Sequence, residues 1–195
     1  MAETVLLGLG TDDSTGYFFH APANTALPTD PTATLPSTWE KVGYVTADGL
    51  TFSQDRSTQD LKDWANKVRR TIMTDHNETI KMEIMETTEE TMKVLFGEDN
   101  VTAVAATTAS GKKITVNLSS SSLPEPEAFL FLMKDGDAKM IIVVPYGQIT
   151  GVGDIVFKSG EVLGWPVTLS TSPDENGHNI YILTDDGQVL TDSES

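Results

Sequence analysis

Hydrophobic and polar residues alternate most regularly over residues 79–84. One set of alternate positions is apolar and the other is polar: Ile80, Met82 and Ile84 against Thr79, Lys81 and Glu83. A period of two is the pattern of a β-strand, whose successive side chains point to opposite faces of a sheet. The segment is therefore predicted to be a strand with one buried and one solvated face.

Two nearly continuous apolar runs, at residues 129–133 and 140–144, flank a polar segment that contains Asp135-Gly136. Apolar runs of this length without alternation are typical of strands that are buried on both faces. The polar segment between them predicts a hairpin turn. Shorter strands are predicted at residues 17–20, 39–45, 50–53, 64–75, 152–157, 162–169 and 180–183, with an Asp48-Gly49 turn inside this series.

One helix is predicted near residues 88–97. Thr87 and Glu90 have the spacing of a capping box, in which each side chain satisfies a free backbone N–H at the start of a helix. Met92, Leu95 and Phe96 recur at helical spacing, and Gly97 is suited to end the helix. A helix of about ten residues is marginal alone, so it is expected to pack against the sheet.

Two segments lack a regular pattern. Residues 22–38 hold four of the nine prolines and are predicted to form an extended arm, whereas the polar residues 53–63 are predicted to form a loop. The predicted fold is mostly β: a β-sandwich or half-barrel with one short flanking α-helix and extended N- and C-terminal arms. Residues 1–195 are predicted to be a single domain, with an arm at 1–38, a β core at 39–183 and a second arm at 184–195.

Composition excludes several classes of function and site. The 195 residues include 29 acids and 13 bases, giving a net charge of −16, and a chain of this charge repels nucleic acid phosphates. Cysteine is absent, which excludes a disulfide scaffold, a thiol nucleophile and cysteine-ligated metals. The N-terminus lacks the pattern of a signal peptide, and no apolar run reaches the length of about 20 residues that a membrane span needs.

Signals for chemistry are weak throughout the sequence. His20, His76 and His178 fall in three separate segments without metal-ligand spacing, so no metal site and no cofactor are predicted. No pair of carboxylates stands out as catalytic among the acids. Tyr146 and Trp165 would, together with Tyr181, form an aromatic platform for a sugar if they shared one face, although such residues more often belong to a core.

The order of motifs in the first half resembles a known family. The stretches GYFFHAPANTALPTD, LPSTWEKVGYVTADGLTFS and TQDLKDWANKVRRTIMTD, between residues 16 and 75, resemble the major tail tube proteins of long-tailed, siphovirus-type bacteriophages. The resemblance implies a phage tail tube-like fold and a structural virion protein without enzymatic activity. It implies hexameric rings that self-assemble into a stacked tail tube, through which genomic DNA is ejected into the host.

The resemblance also implies partners and a location. The partners would be further copies of the chain, a tape measure protein inside the tube, and tail terminator and tail-tip proteins at its ends. DNA would pass through without specific binding, and no membrane insertion is implied. The protein would be assembled in the host cytoplasm and reside in the virion tail.

If the protein forms a tube, some residues must line its channel and others must contact neighbouring subunits. Glu78, Glu83 and Glu86 on or near the alternating strand are the candidates to line the channel, where acidic groups would repel DNA. Leu27, Leu35 and Trp64 are the candidates for inter-subunit contacts, because apolar and aromatic anchors usually dominate interfaces. Trp39 and Trp64 are also predicted to anchor the core at the two ends of the long loop.

Two other functions stay open at this point. One is the inner tube of a contractile injection system, which the sequence does not separate from a non-contractile tail tube. The other belongs to a different class: a β-sandwich carbohydrate-binding module using the aromatic residues.

Overall fold

The structure, a computed structural model, describes residues 18–118, 123–160 and 162–188. These residues form ten strands, one α-helix and a 3₁₀ turn at Glu98–Asn100. The elements are β1 (Phe18–Pro22), β2 (Glu40–Gly43), β3 (Val45–Lys62), β4 (Val68–Ile84), α1 (Glu89–Phe96), β5 (Val101–Val104), β6 (Lys113–Val116), β7 (Glu127–Asp135), β8 (Ala138–Val152), β9 (Trp165–Thr171) and β10 (Tyr181–Asp185). The prediction of a mostly β protein with one short helix is confirmed. Within the described residues, no helix has the length and apolarity needed to cross a bilayer.

Eight strands form one antiparallel sheet in the order β2-β1-β7-β8-β9-β4-β3, with β10 paired to β8 off this path. The long strand β8 joins the two halves of the sheet. Residues 139–143 of β8 pair with β10, and residues 147–152 pair with β9. The hairpin of β5 and β6 forms a separate small sheet.

The sheet separates two hydrophobic cores because alternate residues of its central strands point to opposite faces. On β7, Phe129 and Phe131 point into the first core, and Leu130 points into the second. The ring of Phe18 stacks on Phe131 at 4.9 Å and on Phe129 at 5.6 Å. Helix α1 and the β5–β6 hairpin cover the first core, which contains most of the largest buried side chains.

The strongest sequence patterns are confirmed. Ile80, Met82 and Ile84 are buried in the first core, as their alternation with polar residues predicted. The runs at residues 129–133 and 140–144 form the β7–β8 hairpin, whose central residues are buried on both faces.

The prediction of a loop at residues 53–63 is wrong. Most of this segment belongs to β3, which continues without a break from Val45 to Lys62. The predicted Asp48-Gly49 turn is instead an irregularity in the register between β3 and β4. The strand predicted at 152–157 is also wrong, since β8 ends at Val152 and residues 153–157 belong to no strand.

The helix begins one residue later than its predicted capping box. The hydroxyl of Thr88, not that of Thr87, accepts a hydrogen bond from the N–H of Thr91. Thr87 has another partner, because its hydroxyl accepts from the indole N–H of Trp165 at 3.0 Å. Met92 and Leu95 are buried, as predicted, and the N–H of Gly97 closes the last turn on the carbonyl of Lys93.

We call the main sheet with its two cores, helix α1 and the β5–β6 hairpin the body of the protein. The described part of the predicted N-terminal arm belongs to this body. Strand β1 lies between β2 and β7 inside the sheet, and residues 23–38 fold over the second core. Residues 1–17 of the predicted arm lie outside the described residues. At the other end, Thr184 and Asp185 belong to β10, and residues 189–195 lie outside the described residues.

Candidate assembly interface

Strands β3 and β4 extend beyond the rest of the sheet. Strand β9 pairs with β4 only along residues 79–84, so residues 54–77 form a two-stranded ribbon that we call the outer hairpin. None of the residues 54–77 is buried. Nine residues of β3 lie in the outer hairpin, a length of about 30 Å at about 3.3 Å per residue. An isolated two-stranded ribbon is marginally stable in water. Contact with a partner that covers part of the outer hairpin would therefore stabilise it.

The tip of the outer hairpin is an ordered turn built around Asp63. Its carboxylate accepts the backbone N–H of Lys67 at 2.9 Å and the guanidinium Nε–H of Arg69 at 2.7 Å. These two hydrogen bonds, in that order, hold the pKa of Asp63 below its usual value. Asn66 adopts a positive φ of 60°, which closes the turn. The turn leaves Trp64 fully exposed.

The predicted role of Trp64 as a core anchor is wrong, while its exposure fits the other prediction, an inter-subunit contact. Trp39, predicted as the other core anchor, is buried in the second core. The outer hairpin presents further exposed apolar side chains on its strands: Leu61, Val68 and Met73.

The outer hairpin also differs in charge from the rest of the chain. Its residues include five bases and four acids, for a net charge of +1 in a chain of −16. The bases are Arg56, Lys62, Lys67, Arg69 and Arg70. The outer hairpin is therefore electrostatically suited to contact the acidic surface of another copy.

A second candidate surface is the solvated face of β3, β4 and β9. Residues directly opposite each other in an antiparallel pair share a face, so the register defines rows across the sheet. One row is Thr51, Lys81 and Thr168, and the next is Ser53, Thr79 and Ser170. Glu83 lies on the same face, opposite Pro166. This polar face is rich in hydroxyl groups, and its charged residues are Lys81, Glu83 and, on β3 beside them, Asp48.

The three predicted channel residues do not share this face. Glu83 lies on it, with its carboxylate against Gly164, where a Cβ atom would overlap it. Glu78 lies on the opposite face of β4, is buried, and accepts a hydrogen bond from Gln54 while its carboxylate lies 3.1 Å from Nε2 of His76. Glu86 lies beyond the end of β4, with its carboxylate 3.7 Å from the ammonium of Lys41. Of the three, only Glu83 therefore lies on the polar face.

The other two predicted contact residues lie within the body. Leu27 and Leu35 pack against the second core, so both side chains already have neighbours inside a single copy. Exposed apolar groups occur elsewhere, at Val156, Phe157 and Val162, in the segment between β8 and β9. The sequence analysis assigned this segment to strands and so missed its exposure.

The aromatic residues considered for sugar binding do not form one platform. Trp165 packs edge-on against Phe96 at the border of the first core. Tyr181 packs against the second core, on the other side of the sheet, and stacks on His178. The structure therefore offers no support for the carbohydrate-binding alternative.

Among the residues that the structure describes, one group of side chains could hold a metal ion. His20, Glu40 and Glu90 offer ligand atoms that all lie within 4.8 Å of one another. The sequence analysis predicted no metal site because His20, His76 and His178 fall in separate segments without metal-ligand spacing. The group lies between β1, β2 and α1, away from the outer hairpin and the polar face.

Comparisons with known proteins identify the family. A search among curated proteins found no match. A family profile described as phage tail tube protein matches residues 13–192, which is most of the chain. The match agrees with the sequence resemblance, and the mostly β fold with one short helix is as that resemblance implied. The chain therefore belongs to the phage tail tube protein family, a family of structural components of the virion tail.

Proposed function

We propose that this protein self-assembles into hexameric rings that stack into the tail tube, the conduit through which genomic DNA leaves the virion. The observation that carries the proposal is the outer hairpin, a ribbon of 24 residues of which none is buried in a single copy. Such a ribbon gains little by folding alone, and it gains buried area when a neighbouring copy covers it. The role is structural, without catalysis.

The outer hairpin contacts the neighbouring ring in this proposal. Trp64 projects from the ordered tip, and tryptophan is enriched among the residues that dominate interface energies. The surrounding bases complement an acidic neighbour and favour one orientation of the contact. Contacts between strand edges would complete each ring, because β3 pairs with β4 alone and its other edge has no strand partner in the described residues.

The polar face of β3, β4 and β9 lines the channel in this proposal. DNA is held by clusters of Lys and Arg that neutralise phosphates, and this face offers Lys81 beside the two acids Glu83 and Asp48. The other side chains on this face are mostly uncharged and carry hydroxyl groups, which remain hydrated. The channel then carries a small excess of negative charge and binds DNA weakly, which lets DNA slide without specific contacts. The acidic wall expected from three glutamates is reduced to the contributions of Glu83 and Asp48.

The charge of the channel is tested with Glu83→Lys. Two bases per subunit would then face the DNA, and we expect slower DNA ejection from virions whose tails assemble normally. Glu98→Lys is the matched control, since it makes the same charge change at the 3₁₀ turn, away from the polar face. Equal ejection rates for the two variants would contradict the assignment of this face to the channel.

The remaining features of the proposal follow the family resemblance. A tape measure protein fills the channel during assembly, terminator and tail-tip proteins cap the tube, and assembly takes place in the host cytoplasm. We propose the siphovirus type, in which no sheath surrounds the tube. Electron microscopy of complete virions tests this point, because a contractile sheath around the tube would identify the alternative.

The decisive experiment replaces residues 57–75 with Asn-Gly. This dipeptide favours a two-residue hairpin turn, and it would join Arg56 to its register partner His76. We expect a folded body by circular dichroism and no tubes by negative-stain microscopy at concentrations where the wild type polymerises. Tubes of normal appearance from the shortened protein would contradict the proposal.

A further inference from the structure

We propose that His20, Glu40 and Glu90 bind a zinc ion that ties helix α1 to the edge of the main sheet. The proposal is independent of tube assembly. Imidazole nitrogen and carboxylate oxygen are both common zinc ligands, and three protein ligands leave one position for water or a further oxygen. The same mixed set binds other divalent transition metals, whereas sites for magnesium and calcium are built from oxygen alone.

The local fold brings the three ligands together. His20 on β1 lies directly opposite Glu40 on β2 in the strand register. Glu90 lies in the first turn of α1, above this strand pair. The next residue of the helix, Thr91, is fully buried, and its hydroxyl donates to the carbonyl of Val42 on β2 at 2.7 Å. This hydrogen bond fixes the helix against β2 and so places the carboxylate of Glu90 beside that of Glu40.

The hydrogen bonding of His20 points to a ligand. Its Nδ1 lies 2.7 Å from the carboxylate of Glu127, which can only accept, so Nδ1–H donates to Glu127; the neutral imidazole that binds a metal then presents the lone pair of Nε2. Nε2 is buried and has no hydrogen-bond partner. A buried polar atom without a partner is costly, and a metal at this position would satisfy it. A carboxylate that accepts from the outer nitrogen of a histidine ligand is the usual support of a zinc site.

The charges around the site favour a divalent cation. Glu40, Glu90 and Glu127 contribute three negative charges, and Lys93, which lies 3.3 Å from Glu90, contributes one positive charge. Glu98, Asp99 and Glu125 line the same cleft, so the site lies in a strongly acidic part of the surface, which attracts cations. Lys93 also pairs with Glu89 at 3.1 Å, so it keeps a partner when Glu90 turns to the metal. The site opens into a cleft of about 420 Å³ lined by His20, Glu40, Glu90 and Glu127, which supplies a path of entry.

Zinc titration of the full chain tests the proposal directly. The protein is dialysed against a chelator and titrated with zinc chloride by isothermal calorimetry, and cobalt chloride serves as a spectroscopic probe of the ligands. We expect saturable binding of one zinc ion per chain, a rise in Tm on binding, and no displacement by excess magnesium. Absence of saturable zinc binding by the wild-type chain would overturn the proposal and leave His20 as an imidazole held between carboxylates.

Variants separate this site from adventitious binding. Glu40→Gln keeps the shape of the side chain and removes a ligand, so zinc affinity should fall at least tenfold. Glu127→Gln should weaken binding by about 10–100-fold through loss of the support for His20. His178→Gln and Glu175→Gln are matched controls outside the lining of this cleft and should bind as the wild type does. Unchanged affinity in Glu40→Gln would overturn the proposal.

A gain-of-affinity variant covers the case in which ligand variants fold poorly. Lys93→Met removes the cation that competes for Glu90 and keeps the apolar stem of the side chain. We expect it to bind zinc more tightly than the wild type. An affinity equal to or weaker than that of the wild type would contradict the proposed position of the ion.

Discussion

The two halves of β4 belong to one strand, yet they lie in opposite environments. Residues 79–84 pair with β3 on one side and β9 on the other, and Ile80, Met82 and Ile84 are buried in the first core. Residues 68–77 pair with β3 alone, and none of them is buried. The body is stabilised by its own core, whereas the outer hairpin has no buried residue of its own and, in the proposed tube, is stabilised by a neighbouring copy. Mutations in the two regions should therefore affect different properties: folding in the body, and assembly in the outer hairpin.

The largest effect on folding is expected for Phe131→Ala. Phe131 is almost fully buried and stacks on Phe18, so its truncation should lower the free energy of unfolding by about 3–5 kcal/mol. Urea denaturation of the unassembled protein measures the change. A loss below about 1 kcal/mol would contradict the assignment of this residue to a close-packed core.

Trp64→Ala is the counterpart in the outer hairpin. Trp64 is fully exposed, so the free energy of unfolding of the unassembled protein should change by less than about 0.5 kcal/mol. Assembly should lose about 2 kcal/mol, which raises the critical concentration for tube growth about thirtyfold. Sedimentation of the polymer measures this concentration. An unchanged critical concentration would contradict the proposed contact of Trp64 with a neighbouring copy.

A smaller contrast is expected between two threonines. Thr91→Val removes a buried hydroxyl that donates to Val42, and leaves that carbonyl without this donor, at a cost of about 1–3 kcal/mol. Thr71→Val makes the same change in the outer hairpin, where the hydroxyl donates to the exposed Asp60, and should cost less than about 0.5 kcal/mol. Thermal unfolding of both variants provides the comparison, and equal losses would contradict it.

The smallest effects concern pH. The hydroxyl of Tyr181, followed by the N–H of His178, lowers the pKa of Asp174 from 3.8 to about 2. Because the folded pKa is below the unfolded one, this contribution to stability is complete above the usual value and is lost as the pH falls through about 2. Asp174→Asn should remove that acid-dependent part of the unfolding curve.

Asp63 is the matching acid of the outer hairpin, and its pKa is lowered by Lys67 and Arg69. Its protonation in acid should loosen the tip and weaken assembly, with little effect on the stability of the unassembled body. Carboxyl titration by NMR should give lowered values for both acids. A value for either acid at or above its usual range would contradict its hydrogen bonds.

The sequence predicted the body better than the outer hairpin, for a physical reason. The alternation at Ile80, Met82 and Ile84 is visible because one face of this strand is buried and the other is wet. Residues 53–63 show no alternation because both faces of the outer hairpin lie in solvent, so a strand there has no hydrophobic signature. The sequence predicts Trp64 both as a core anchor and as an inter-subunit contact and does not separate these roles. The turn around Asp63, which is a tertiary feature, leaves its side chain exposed.

The candidate sites show the same limit. Glu78 and Glu83 were grouped by their nearness along the chain, but an odd separation on a strand places them on opposite faces. His20, Glu40 and Glu90 have no recognisable spacing, since the register of β1 and β2 and the position of α1 bring them together. Sites assembled from separate elements depend on tertiary structure and could not be read from one sequence.

Amide hydrogen exchange of residues 57–75, compared between the unassembled protein and the polymer, tests the central claim most directly. The account predicts rapid exchange along the outer hairpin in the single copy, strong protection of the same amides in the tube, and little change at the core strands β7 and β8. Exchange along the outer hairpin that is equally fast before and after assembly would contradict the account.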